Sequence, residues 1–174
     1  AHWLLTTAPD PQAIAVAIEL HKQTHPKFWD DARFVATVLI ERGVDALPAL
    51  AWGAIVNEAG DALAHIGLPE AVEALARGAA VTFYSPHAPL HLAVAVRRWP
   101  LAALAGLARV VADGGKGAAL HTPTVVKLLR ALGAEAAQVD AWIEPAALAG
   151  IERQRALLGP APVLAAIRGI PGGR

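Results

Sequence analysis

Two stretches of the sequence place histidines four apart, HKQTH from His21 to His25 and HAPLH from His87 to His91. Two imidazoles at that spacing on one helical face can grip a metal ion. A third ligand and a carboxylate base would make a hydrolytic zinc site. Neither stretch reads H-E-x-x-H. Pro26 follows His25 directly and biases it away from helical geometry. Pro89 lies between the second pair and fits best in a helix's first turn, which leaves His87 at or before the cap. A His-rich metalloenzyme, built from both pairs with Asp30 or Asp31, is therefore the least favoured reading. Structural roles fit better: His21 near a helix C-terminus, where the macrodipole favours a cation, and His87 at a helix start. We expect no bound metal, no cofactor and no catalytic residues.

Other chemistries have less material. DGGKG, Asp113 to Gly117, brings a phosphate-binding loop to mind, but such a loop needs G-x-x-x-x-G-K-[ST] between a strand and a helix. Gly117 stands at the Ser/Thr position, Val110 where the first glycine belongs, and a helix precedes the loop. A helix–helix connector is the natural reading. Ser85 is the only serine and lacks the G-x-S-x-G elbow. There is no cysteine, which removes disulfides, thiolate ligands and thiol nucleophiles. Asp30-Asp31 reads as a helix cap. The best binding candidates are basic: Arg97, Arg98, Arg109, Lys116, Lys127 and Arg130, which come from adjacent predicted helices and their connector. On one shared face they would suit phosphate or acidic-peptide recognition; otherwise they are the solvated faces of amphipathic helices. Trp3, Trp29, Trp52, Trp99 and Trp142 are expected as core anchors at helix junctions.

The elements that must position these residues are helical. Of the 174 residues, 41 are alanine, the best helix former. Mean hydropathy is +0.42, carried largely by these small side chains. The longest uncharged run, Gly78 to Val96, is broken near its middle by Ser85, Pro86, His87, Pro89 and His91, so no membrane span is expected. With no basic leader at AHWLLTT, a cytoplasmic chain is expected. The start without methionine suggests a piece of a larger protein, with residues 1–174 as one helical-repeat domain. Net charge is zero, but residues 1–87 carry ten acidic and five basic side chains, and residues 88–174 the reverse.

Punctuation recurs every 10 to 20 residues, with a 3.6 period between. Helices are expected from Asp10-Pro11 to about His21, from Asp30 or Asp31 to Gly43, after Asp45, from Pro69 to Gly78, after Trp99-Pro100, from Thr122-Pro123 to Gly133, and after Pro145 and Pro160. Only Val81 to Tyr84 has strand-like composition, too short for a sheet. PALAWGAIV from Pro48 resembles PLAALAGLARVV from Pro100, and PEAVEALARG from Pro69 resembles PTVVKLLRALG from Pro123, at offsets of 52 and 54. These repeats predict an all-α, HEAT-like α-solenoid of antiparallel helix pairs, with a plain helical bundle as the alternative.

RRWPLAALAGLARVVADGGKGAAL, Arg97 to Leu120, resembles the helical-repeat region of bacterial molybdate-metabolism-regulator-like proteins, the MolR-type, WGR-associated family. In that region a tryptophan- or histidine-proline pair precedes an Ala/Leu helix, a glycine-bearing loop and another helix. Here these are Trp99-Pro100, Leu101 to Val111, Gly114 to Gly117, and Val125 to Leu132. The likeness covers about a third of the chain, and the WGR motif itself is absent, since Ala54 follows Trp52-Gly53. The resemblance implies a helical-repeat segment of a regulator and supplies no catalytic residues. The expected function is a non-catalytic interaction or scaffold domain that binds another protein or a domain of the same chain. The alternative is a nucleic-acid-binding basic surface.

Overall fold

Proline and glycine set most of the helix boundaries. The computed structural model describes residues 16, 32–52, 54, 57–81 and 87–158. In chain order the α-helices are α1 (Ala32–Arg42), α2 (Leu47–Trp52), α3 (Asn57–Ala64), α4 (Pro69–Val81), α5 (His87–Arg98), α6 (Pro100–Ala112), α7 (Gly115–Leu132) and α8 (Pro145–Leu158). Short 3-10 segments, Gly43–Ala46 and Gly133–Ala141, follow α1 and α7. Pro69, Pro100 and Pro145 each occupy a first helical position, where the missing N–H costs nothing. Gly43 and Gly133 both have φ 54°, a left-handed turn that ends α1 and α7 cheaply only in glycine. The all-α class therefore holds, with no strand among the described residues. None of the described helices is long and apolar enough to cross a membrane.

Several boundaries depart from the sequence reading. Val81 is helical, because α4 runs on past Gly78. Asp45 lies within the 3-10 segment Gly43–Ala46 that leads into α2. Thr122-Pro123 opens no helix, since α7 already runs from Gly115 and carries Pro123 inside it. Pro123 is exposed, so its ring displaces only solvent, and the Thr122 hydroxyl donates to the Ala118 carbonyl at 2.6 Å in the same turn. The offsets of 52 and 54 thus relate α2 to α6 and α4 to the second half of α7. In the first copy a separate α3 stands between the two helices; in the second, α7 is continuous. Of the helix expected after Asp10 only Val16 is described, and it is helical; the helix expected after Pro160, and Thr82 to Tyr84, lie outside the described residues.

Helix α6 is the hub. Its residues from Ala102 to Ala108 are all buried, as is Val110. A helix that is apolar all round must be enclosed by others. It packs against α4 and α7 most extensively, then against α8, α5 and the second 3-10 segment. Gly106 is what lets α4 approach so closely: a Cβ there would collide with the Pro69 carbonyl oxygen and stand 2.9 Å from the Glu73 amide. Two series of contacts run through the molecule. One links α2, α4, α6 and α8, the other α1, α3 and α5, and from α2 onward each helix also packs on its successor. A single hydrophobic cluster extends from Val35 in α1 to Ile151 in α8, with Leu50, Leu63, Leu75, Leu104 and Leu107 fully buried.

Candidate functional site

The polar seam between α4 and α6 holds the most organised constellation. EAVEALAR puts Glu70, Glu73 and Arg77 at i, i+3 and i+7, one face of α4. Arg109, in the last turn of α6, reaches across to that face. Its Nη1 donates to Glu70 Oε1 at 2.8 Å and lies 3.4 Å from Glu73 Oε2, while its Nη2 donates to the Trp142 carbonyl at 2.9 Å. Arg77 continues the chain, with Nε and Nη2 donating to Glu73 Oε1 at 3.0 and 2.7 Å and Nη2 to Asp113 Oδ2 at 2.5 Å. One relay of charge therefore ties α4, the last turn of α6, the residue that follows it, and the turn before α8.

The electrostatics are self-neutralising. Burial would disfavour the Arg109 charge, but the hydrogen bonds and attraction of Glu70 and Glu73 outweigh it and raise its pKa. Burial likewise pushes the Glu70 carboxyl up, and the Arg109 hydrogen bond, its own backbone amide and the Arg109 charge together bring it below the ordinary value. Hydrogen bonds that Arg77 donates to Glu73 and then to Asp113 raise its pKa. Arg109 is 19% exposed, and its Nε is buried without a partner. Arg109 thus serves the internal seam, although the sequence suggests a binding surface for it.

The basic set as a whole divides in space. Arg97 and Arg98 end α5, beside the start of α6, whereas Arg109 and Lys116 stand at its far end, about 15 Å along the axis at 1.5 Å per residue. Lys127 and Arg130 lie in the second half of α7. That helix leaves α6 after a two-residue link and packs back along it, which returns them towards the Arg97 end. All except Arg109 are exposed. Arg98 stacks over the Trp99 ring at 5.3 Å from its centroid, and that ring lies flat enough on Gly67 that a Cβ there would come within 2.9 Å. Trp99 is half-buried at a junction, in keeping with an anchor, but Trp142 is 45% exposed and is no core residue.

Two open clefts flank α4. One, of about 310 Å³, lies between α2 and α4 over Leu47, Pro48 and Ala51, with Glu70, Glu73 and Arg77 along its other side. The second, of about 530 Å³, has a floor of Ala80, Val110 and Gly117 and a rim of Arg77, Asp113 and Lys116. Arg77 lines both. Gly117 keeps the second floor low, since a Cβ there would stand 2.8 Å from Val110 Cγ1.

Residues that sequence reasoning passed over include Glu70, Glu73, Arg77 and Asp113. The i, i+4 Glu73–Arg77 pair was the available signal. His121 was missed as well: it is 3% exposed and pairs through Nε2 with the Ala76 carbonyl at 2.9 Å, locking α7 to α4. Because a carbonyl oxygen only accepts, His121 donates this bond and carries its proton on Nε2. His21, His25 and Ser85 lie outside the described residues. Among the described residues, no three His, Cys, Asp or Glu side chains are arranged to hold a metal ion. Compared with known proteins, the chain matches no family model, no curated protein and no solved structure.

Proposed function

We propose that this chain is a non-catalytic interaction domain that receives a segment of another protein, or of another domain of its own chain, along the clefts beside α4. The observation that carries this reading is the larger cleft. Its floor is apolar, its rim carries both signs of charge, and Arg77 and Asp113 satisfy one another there. An apolar floor with a mixed rim suits a polypeptide, whose side chains are themselves mixed. A nucleic acid would need an uncompensated positive face. The successive packing of α2, α4, α6 and α8 supports a HEAT-like solenoid of helix pairs, the architecture in which such clefts form between repeats. The Arg97–Leu120 resemblance to MolR-type regulators agrees with an interaction role.

The test is selection of peptides from a random display library against the wild-type chain, counter-screened against Ala80→Arg, which fills the cleft floor. Enriched peptides that lose binding to the variant are the expected result. If no peptide is enriched, or the enriched ones ignore Ala80→Arg, the cleft is not the binding surface. A second reading has its own observation, the exposed Arg97, Arg98, Lys127 and Arg130 towards one end of α6. Fluorescence anisotropy of a random duplex DNA at two salt concentrations decides it. Salt-sensitive binding that vanishes in Arg97→Glu/Arg98→Glu would favour nucleic acid, and absence of binding at low salt would eliminate it.

A further inference from the structure

The two clefts beside α4 are parts of one groove. Glu70, Glu73, Ala74, Arg77, Ala80 and Val81 recur at i, i+3, i+4, i+7, i+10 and i+11, a single stripe along α4. The stripe lines the smaller cleft from Glu70 to Arg77 and the larger from Arg77 to Val81, so Arg77 belongs to both. Helix α2 walls the first stretch and the α6–α7 connector the second. From Glu70 to Val81 the stripe is about 16 Å long, at 1.5 Å per residue. An extended chain covers that length in about five residues, at about 3.3 Å each. The groove is also polarised. Among the described lining residues, the α2 end sets Glu70 and Glu73 against Arg77, and the other end sets Arg77 and Lys116 against Asp113. Arg109 holds Glu70 from the α6 side, yet Glu70 stays 52% exposed and Arg109 does not line the groove. Even with Arg109 counted, the relay sets Glu70, Glu73 and Asp113 against only Arg77 and Arg109. Lys116 stands outside it, exposed and without an ion-pair partner among the described residues.

Resting on the interaction reading above, we propose that one extended segment of the partner lies along this groove in a fixed register. A basic side chain sits over Glu70 and Glu73, apolar side chains enter the two cleft floors, and an acidic side chain meets Lys116. The two charged residues of that segment stand about five positions apart, the length of the stripe. Side chains of an extended chain alternate between its two faces, so alternate residues point at the floor while the others remain in water. Arg77 sets the register. Its guanidinium is held by Glu73 on one side and Asp113 on the other, which fixes it as a divider between the two floors. Opposite charges at the two ends then select both the composition of the segment and its direction along α4, since reversing it would bring like charges together at each end.

Fluorescence anisotropy with labelled, end-capped peptide mixtures tests this at about 50 mM salt, where surface charges are weakly screened. Each mixture has apolar side chains between two fixed residues about five positions apart: one Lys and one Glu in either order, two Lys, or two Glu. The better of the two mixed-end sets is expected to bind the wild type about tenfold more tightly than either like-ended set. Lys116→Glu should shift the preference to the two-lysine set by about the same factor. That variant is expected to fold, because an acidic residue in the first turn of α7 suits the helix dipole. Like-ended peptides that bind the wild type as well as mixed-ended ones, or an unchanged preference in Lys116→Glu, would overturn the proposal. Ala80→Arg separates this from the reading beneath it. Binding that is lost in Ala80→Arg but shows no charge preference leaves the cleft as a site without polarity. Peptides that ignore Ala80→Arg, or no binding by any set, remove the cleft and the proposal together.

Discussion

Replacing Gly106 by alanine sets two effects of opposite sign against each other at the most intimate contact in the molecule. In an exposed helix interior, Gly→Ala stabilises by about 1 kcal/mol through propensity. At Gly106 the added Cβ would run into the Pro69 carbonyl oxygen and stand 2.9 Å from the Glu73 amide and 3.1 Å from Val72 Cβ. Two of these three atoms are backbone, which cannot rotate aside, so helix α4 must move as a body. Overpacking costs about 1–3 kcal/mol, and rigid neighbours place this site at the upper end. The net is a loss of about 2 kcal/mol, or about 4–8 °C in Tm for a chain of this size. Gly150, in α8, is the control, because nothing lies within 4 Å of a Cβ built there. Gly150→Ala should gain about 0.5–1 kcal/mol. Urea unfolding followed by circular dichroism measures both. Should Gly106→Ala stabilise as Gly150→Ala does, α4 and α6 do not meet as described, and the account of the hub helix fails.

Leu107→Ala, at a fully buried position of the same helix, should lower the unfolding free energy by about 2–5 kcal/mol in the same urea assay. Arg109→Leu should cost about 1–2 kcal/mol, because it leaves Glu70 and the Trp142 carbonyl without their donor, whereas Arg77→Ala, half exposed, should cost less than about 1 kcal/mol. Arg109→Leu should also flatten the acid limb of stability. Glu70 has a depressed folded pKa, so its contribution is full above the ordinary value of 4.5 and is lost as pH falls through the folded one. A variant that kept the wild-type slope between about pH 5 and pH 3 would show that Glu70 is not held by Arg109.

Much of the helical scaffold was legible in the residues themselves. Pro69, Pro100 and Pro145 announce α4, α6 and α8, and Gly43 and Gly133 stop α1 and α7, because a missing N–H and a left-handed φ are local properties. Helix α3 escaped notice since NEAGDALA buries Ala59, Gly60, Leu63 and Ala64, and only one of these is large enough to mark an apolar stripe. Pro123 misled because proline is expected to begin a helix, and its tolerance inside α7 depends on that face being open to water. The candidate site was still less legible. From sequence, Arg109 belongs with Arg97, Arg98, Lys116, Lys127 and Arg130 as a cation on a polar face. The packing of α4 on α6 across Gly106 turns it onto Glu70 and Glu73 and sets the others at the two ends of α6. Composition and period thus determined that the chain is helical and where its helices break, since those preferences act within a few residues. Tertiary structure alone decided which charges cancel, where clefts open and which histidines meet, because those depend on helices distant in sequence coming within a few ångströms.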